Sequence, residues 1–85
     1  MYRLAIFASG SGSNAENIVT YFHNKPQIRI SCICTNRADA FVIERLKKYD
    51  LPLLVFNRED FYSSYKVLDF LKQHEVDWII LAGFF

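Results

Sequence analysis

The sequence predicts an α/β protein, a Rossmann-like parallel sheet with helices on both faces and the element order β-α-β-α-β-α-β. Apolar runs of strand length alternate with segments of helical period, and the breaks between them are short and polar. The chain has 85 residues, of which 52% are hydrophobic and 22% are charged. This composition is ordinary for a single globular domain with a buried core.

The first strand and helix are marked by a change of period. Residues 2–8 are a nearly continuous apolar run, which is typical of a strand buried on both faces of a parallel sheet. From Ser13 the apolar residues follow the spacing of one helical face. These residues are Ala15, Ile18, Val19 and Phe22. The polar segment 24–26, which ends in proline, closes this helix.

The second helix lies between two further predicted strands. Residues 28–35 are rich in β-branched side chains and predict the second strand. The polar segment 36–39 then leads into a helix with its apolar residues on one side. These residues are Val42, Ile43, Leu46 and Tyr49. Residues 51–56 form a short third strand, with Pro52 near its start where a missing donor is tolerated.

The last predicted elements are a third helix and a fourth strand. The helix follows the polar segment 57–60, in which Asp60 is expected to act as a cap, and it ends near His74. Its apolar positions are Tyr65, Leu68 and Leu71. Residues 77–85 form the fourth strand and an apolar end with no helix after it to cover the strand. We therefore expect this chain to be the first part of a larger domain; the alternative is a small complete domain that ends in a buried strand.

Several classes of function and site are disfavoured by composition. A net charge of +1 with interspersed acids and bases argues against a nucleic-acid or membrane partner. The amino terminus turns polar too early for a secretory signal, which predicts a cytoplasmic protein. Cys32 and Cys34 share one face of a strand without a Cys-x-x-Cys turn, so they are expected to be core fillers with no metal. His23 and His74 fall near helix ends and are not expected to be catalytic.

The segment between the first strand and the first helix is the strongest candidate binding site. It lies at the carboxyl edge of the sheet, where doubly wound proteins bind ligands. Gly10 and Gly12 allow close backbone approach, and Ser13 and Asn14 add donors to the free amides of the helix's first turn. Such a loop predicts an anion site suited to phosphate. The alternative is that Ser13 and Asn14 only cap the helix.

The pattern Gly10-x-Gly12-x-x-Ala15 also matches a relaxed dinucleotide fingerprint. A NAD site would want an acidic residue about twenty residues further on, where this chain has Asn36. Asn36 and Arg37 could instead meet the 2′-phosphate of NADP, so the NADP-binding half of an oxidoreductase stays open. No lysine follows the glycines, which excludes a Walker loop. A non-catalytic phosphate-binding or regulatory module is the third alternative.

Three segments resemble the phosphoribosylglycinamide formyltransferases, the folate-dependent transformylases of purine synthesis. Residues 8–14, Ala-Ser-Gly-Ser-Gly-Ser-Asn, are similar to the start of that family. Residues 35–41, Thr-Asn-Arg-Ala-Asp-Ala-Phe, look like its segment after the second strand, and residues 81–84, Leu-Ala-Gly-Phe, like the end of its fourth strand. The resemblance covers the whole chain in register.

The resemblance implies transfer of a formyl group from the co-substrate 10-formyltetrahydrofolate to glycinamide ribonucleotide in de novo purine synthesis. It also implies that Gly12, Ser13 and Asn14 bind the substrate phosphate. Gly83 and Phe85 would lie at the edge of the cleft between substrate and folate.

The same resemblance makes residues 1–85 the amino-terminal, phosphate-binding part of a formyltransferase domain. The family's catalytic Asn, His and Asp follow the fourth strand, so no catalytic residue is assigned here, and the isolated chain is expected to bind without turnover. A β-branched residue at Gly12 of the complete enzyme is expected to weaken ribonucleotide binding far more than folate binding.

Overall fold

A computed structural model of the chain describes residues 1–63 and 65–84. Strands and helices alternate as predicted, except that two helices replace the third. The strands are β1 (Tyr2–Phe7), β2 (Ile28–Thr35), β3 (Leu53–Val55) and β4 (Trp78–Leu81). The helices are α1 (Ser13–Phe22), α2 (Phe41–Leu46), α3 (Arg58–Ser63) and α4 (Lys66–Gln73). A 3-10 turn, Lys47–Tyr49, continues α2.

The strands form one parallel sheet in the order β3-β2-β1-β4, which confirms the predicted fold class. The chain runs outward from β1 to β2 and β3, then returns to the other side of β1 for β4. The carboxyl ends of β1 and β4 therefore lie side by side at a topological switch point, where open α/β sheets place their ligands.

The two faces of the sheet are covered by different helices. Along β1, side chains alternate between the faces, as strand geometry requires. Leu4 and Ile6 pack in a cluster with residues of α1 and α2. Ala5 and Phe7 pack on the other side in a cluster that includes Val67 of α4. Helices thus lie on both faces, and residues 4–7 of β1 are buried between them.

Both cysteines are core residues, as the sequence predicts. Cys32 and Cys34 are fully buried on the face beneath α4. The neighbouring Cys32 thiol and burial raise the pKa of the Cys34 thiol. The Cys34 thiol is therefore protonated and unreactive at neutral pH.

The region of the predicted third helix differs from expectation because a capping box starts an additional helix. The Asp60 amide donates to Asn57 Oδ1 over 2.7 Å, and the Asn57 amide donates back to Asp60 Oδ2 over 3.3 Å. Asp60 therefore caps as expected, but from inside the first turn of α3, while Asn57 precedes the helix. The apolar spacing that starts at Tyr65 predicts α4 alone.

Strand β4 is the most exposed strand of the sheet. β4 is an edge strand, and the exposed fractions of Trp78, Ile79 and Leu81 are 63%, 48% and 66%. The expected lack of cover over this strand is therefore seen in the described part of the chain. None of the helices in residues 1–63 and 65–84 has the length and apolar character needed to cross a membrane.

Candidate functional site

A cavity of about 140 Å³ lies at the carboxyl ends of β1 and β4, at the switch point of the sheet. Residues 10–14 line it together with Ala82 and Gly83. The structure thus places Gly12, Ser13 and Asn14 at the same cavity as Gly83, which is about 70 positions away along the sequence. Phe85, the other expected cleft residue, lies outside the described residues.

Gly12 has a structural role at the start of α1. Its φ of 84° is in the left-handed region, and it directly precedes α1 as the N-cap. A Cβ atom at Gly12 would lie 2.7 Å from both Cα and Cγ2 of Val42 on α2. Gly10 is different, because a Cβ there would have no neighbouring atom within 4 Å. Close packing of α2 on the loop therefore requires glycine at position 12 but not at position 10.

Helix α2 binds two successive carbonyl groups of the loop. The Val42 amide donates to the Gly10 carbonyl over 3.1 Å, and Arg45 Nε donates to the Ser11 carbonyl over 2.9 Å. Within residues 1–63 and 65–84, the amides of residues 11–14 donate no hydrogen bond. These amides are donors that a ligand could use.

The capping alternative for Ser13 and Asn14 is not what the structure shows. Among the described residues, no side chain accepts a hydrogen bond from the amides at the start of α1. The nearest interaction is a long contact of 3.5 Å between the hydroxyl oxygens of Ser11 and Ser13. Both Ser13 and Asn14 are exposed at the cavity, so their side chains can reach a bound anion.

The residues on which the dinucleotide alternative depends lie after β2, outside the residues that line this cavity. Ser9 Oγ donates to Asn36 Oδ1 over 2.6 Å, which ties the end of β2 to the end of β1. Arg37 is exposed and pairs with Asp39, with 3.3 Å between Nε and Oδ1. The structure thus places Arg37 in a local surface ion pair.

Glu16, on the first turn of α1, is the centre of a polar network that the sequence analysis missed. Its Oε2 accepts from Lys48 Nζ and from the Tyr49 hydroxyl, each over 2.9 Å. Its Oε1 accepts from Arg45 Nη1 over 3.2 Å. Hydrogen bonds from Lys48, Tyr49 and Arg45 lower the pKa of Glu16 to about 2. The carboxylate therefore carries its charge at neutral pH, beside two cations that offset it.

Larger cavities lie elsewhere, away from the carboxyl ends of β1 and β4. One of about 490 Å³ lies beside the amino end of β2, and its lining includes Phe22, Ile28 and Tyr49. Another, of about 380 Å³, includes Arg3, Arg29 and His74. Size alone does not make either a site, whereas the loop cavity combines unused amides, hydroxyls and a switch-point position.

Comparison with known proteins gives consistent matches over the whole chain. The family model described as formyl transferase matches residues 2–85. Phosphoribosylglycinamide formyltransferase of Haemophilus influenzae is 33% identical over 99% of this chain and is covered over 42% of its own length.

Two crystal structures show the same fold. Glycinamide ribonucleotide transformylase 1 of Geobacillus kaustophilus matches with 38% identity and a TM-score of 0.86, over 99% of this chain and 47% of that chain. Phosphoribosylglycinamide formyltransferase of Anaplasma phagocytophilum matches with 31% identity and a TM-score of 0.88, over 99% and 40%. The present chain thus spans less than half the length of each of these relatives.

Proposed function

This chain belongs to the formyl transferase family, and on that premise we propose that it forms the phosphate-binding part of a glycinamide ribonucleotide formyltransferase. The formyl donor in this proposal is 10-formyltetrahydrofolate. The substrate amine attacks the formyl carbon, a carbon–nitrogen bond forms, and the bond from the formyl carbon to the folate nitrogen breaks. The amine loses one proton, and the folate nitrogen gains one.

The observation that carries the proposal is the set of unused donors around the loop cavity. Residues 11–14, with their free amides and the side chains of Ser13 and Asn14, line the cavity at the start of α1, where the positive end of the helix dipole lies. A phosphate dianion would receive charge-assisted hydrogen bonds there. Gly83, across the cavity, would border the ribonucleotide on the β4 side.

In this proposal the chain contributes binding and orientation, and no residue of it is given a proton-transfer role. A fixed phosphate holds the substrate amine in place, which lowers the entropic part of the reaction barrier. His23 and His74 directly follow the carboxyl ends of α1 and α4. In a parallel α/β sheet those helix ends lie at the edge opposite the loop, so neither histidine is placed to move a proton at the cavity.

The two alternatives make different predictions for ligand binding. The NADP-binding half of an oxidoreductase would bind NADP and not glycinamide ribonucleotide. A non-catalytic phosphate-binding module would bind a phosphate ligand without folate-dependent formylation in the full-length protein. Family membership favours the formyltransferase over both.

The test is a calorimetric titration of the full-length protein with glycinamide ribonucleotide, comparing wild type with Ser13→Ala and Asn14→Ala. Each substitution removes one hydrogen bond to a charged group, worth about 1.5–3 kcal/mol, so the Kd is expected to rise roughly tenfold to a hundredfold. Binding of 10-formyltetrahydrofolate is expected to change little.

Asn17→Ala is the matched control, since Asn17 is exposed on α1 and does not line the cavity. Equal affinity of the Asn14→Ala and Asn17→Ala variants would remove Asn14 from the site. A wild-type protein that binds NADP but not the ribonucleotide would overturn the proposed function.

A further inference from the structure

Arg45 connects α2 to both sides of the glycine at the start of α1. Its Nε donates to the Ser11 carbonyl over 2.9 Å, directly before Gly12. Its Nη1 donates to Glu16 Oε1 over 3.2 Å, one helical turn after Gly12. Arg45 itself does not line the loop cavity. The Arg45 guanidinium therefore supports the loop from the side of α2, outside the cavity.

The geometry of the peptide unit relates the hydrogen bonds on the loop carbonyls to the direction in which the loop amides point. In a planar trans peptide the carbonyl of one residue and the amide of the next point in opposite directions. The carbonyls of Gly10 and Ser11 are both held towards α2, by the Val42 amide and by Arg45. The amides of Ser11 and Gly12 are therefore directed away from α2. Both residues line the cavity.

The hydrogen bond from Arg45 also holds the Ser11 carbonyl oxygen on the α2 side of the loop, away from the position proposed for the phosphate. A carbonyl oxygen carries partial negative charge and would repel a phosphate if the peptide turned over. In this fold that oxygen accepts a hydrogen bond from Arg45, which does not line the cavity. Glu16 in turn holds Arg45 in place, and Lys48 and Tyr49 hold Glu16.

We propose that Arg45 is a positioning residue of the phosphate site, acting through the Ser11–Gly12 peptide rather than by touching the substrate. This inference rests on the proposed function, because it assigns how the loop is held ready for the ribonucleotide phosphate. No motif in the sequence indicates it, since Arg45 is 34 residues from Ser11.

The test uses steady-state kinetics of the full-length protein with glycinamide ribonucleotide and with its ribonucleoside, which lacks the phosphate. Arg45→Met keeps the apolar stem and removes both donors. Its KM for the ribonucleotide is expected to rise roughly tenfold or more. Its kcat and its KM for the folate co-substrate are expected to stay within about twofold. The KM for the ribonucleoside is expected to be the same in both proteins.

Two further variants make the result specific. Lys47→Met removes a positive charge two residues from Arg45. Lys47 is exposed and has no ion pair in the described part of the chain, so this variant is expected to leave the ribonucleotide KM unchanged. Arg45→Lys keeps the charge but cannot donate to Ser11 and Glu16 with the same fork, so it is expected to give an intermediate KM. If Arg45→Met does not fold, Arg45→Lys takes its place.

The outcomes separate this inference from the proposed function. An equal rise in KM for ribonucleotide and ribonucleoside, or a loss of kcat with unchanged ribonucleotide KM, would show that Arg45 does not act through the phosphate site. An unchanged ribonucleotide KM in a folded Arg45→Lys would overturn the inference too. A wild-type protein that does not formylate the ribonucleotide would instead overturn the proposed function.

Discussion

The loop after β1 and the edge strand β4 lie side by side, but the rest of the chain supports them very differently. The loop is packed against Val42, bonded to Arg45 and tied through the Ser9 amide to the Gly83 carbonyl over 3.1 Å. Within the described residues, strand β4 pairs only with β1, and its Trp78, Ile79 and Leu81 side chains are exposed. The comparison teaches that the loop is held by contacts from α2 and from the end of β4, whereas these three side chains of β4 stay exposed in the described part of the chain.

The largest expected effect comes from breaking the support of the loop with Gly12→Val. The new side chain would overlap Val42 and hold a β-branched residue at a φ of 84°. Overpacking and backbone strain together are expected to lower the free energy of unfolding by about 2–6 kcal/mol. Chemical denaturation measures this loss.

Gly10→Val is the matched control, since nothing lies within 4 Å of a Cβ at that position. It is expected to change stability much less. Equal losses of stability in the two variants would mean that the contact with Val42 of α2 does not restrict the side chain at position 12. The structure also changes the expectation for ribonucleotide binding at Gly12: because a Cβ there disturbs the fold, a selective binding loss is better sought at Ser13 and Asn14.

The second prediction compares a buried residue of β1 with an exposed one of β4. Ile6 is fully buried, so Ile6→Ala is expected to cost about 2–5 kcal/mol. Leu81 is 66% exposed, so Leu81→Ala is expected to cost about 0.5 kcal/mol or less. The two variants are compared by urea denaturation of the 85-residue chain. A Leu81→Ala cost close to that of Ile6→Ala would show that β4 is covered in solution.

The smallest expected effect is the change of the free energy of unfolding with pH that the Glu16 carboxylate causes. The pKa of Glu16 is about 2 in the fold, below its ordinary value of 4.5. A lowered pKa contributes stability above the unfolded value and loses it as the pH falls through the folded value. The wild-type free energy of unfolding is therefore expected to fall more between about pH 5 and pH 2 than that of Glu16→Gln.

Denaturation at a series of pH values in that range checks this expectation. Glu44→Gln removes an exposed carboxylate of α2 that has no ion pair within the described residues, and it serves as the charge-matched control. If Glu16→Gln and wild type lose stability in parallel as the pH falls, the network does not stabilise the charged form of Glu16.

Much of the fold and part of the site could be predicted from local pattern. The apolar run 2–8, the helical spacing from Ser13 and the glycines at 10 and 12 each reflect interactions within a few residues. The second of the two helices in the third helical region was predicted. Helix α3 was missed although the bonds of Asn57 and Asp60 that start it are local, because residues 58–63 have no apolar spacing of helical period. The assignment of Ser13 and Asn14 to phosphate stays a prediction.

The sequence by itself determined the order of the elements and the place of the glycine loop, because periodicity and turn chemistry are local properties. Tertiary structure alone decided that β4 lies beside β1, which puts Gly83 at the same cavity as Ser13. It alone brought Arg45 to the Ser11 carbonyl. The physical reason is that strand order and helix packing join residues more than thirty positions apart, and no local pattern records those contacts.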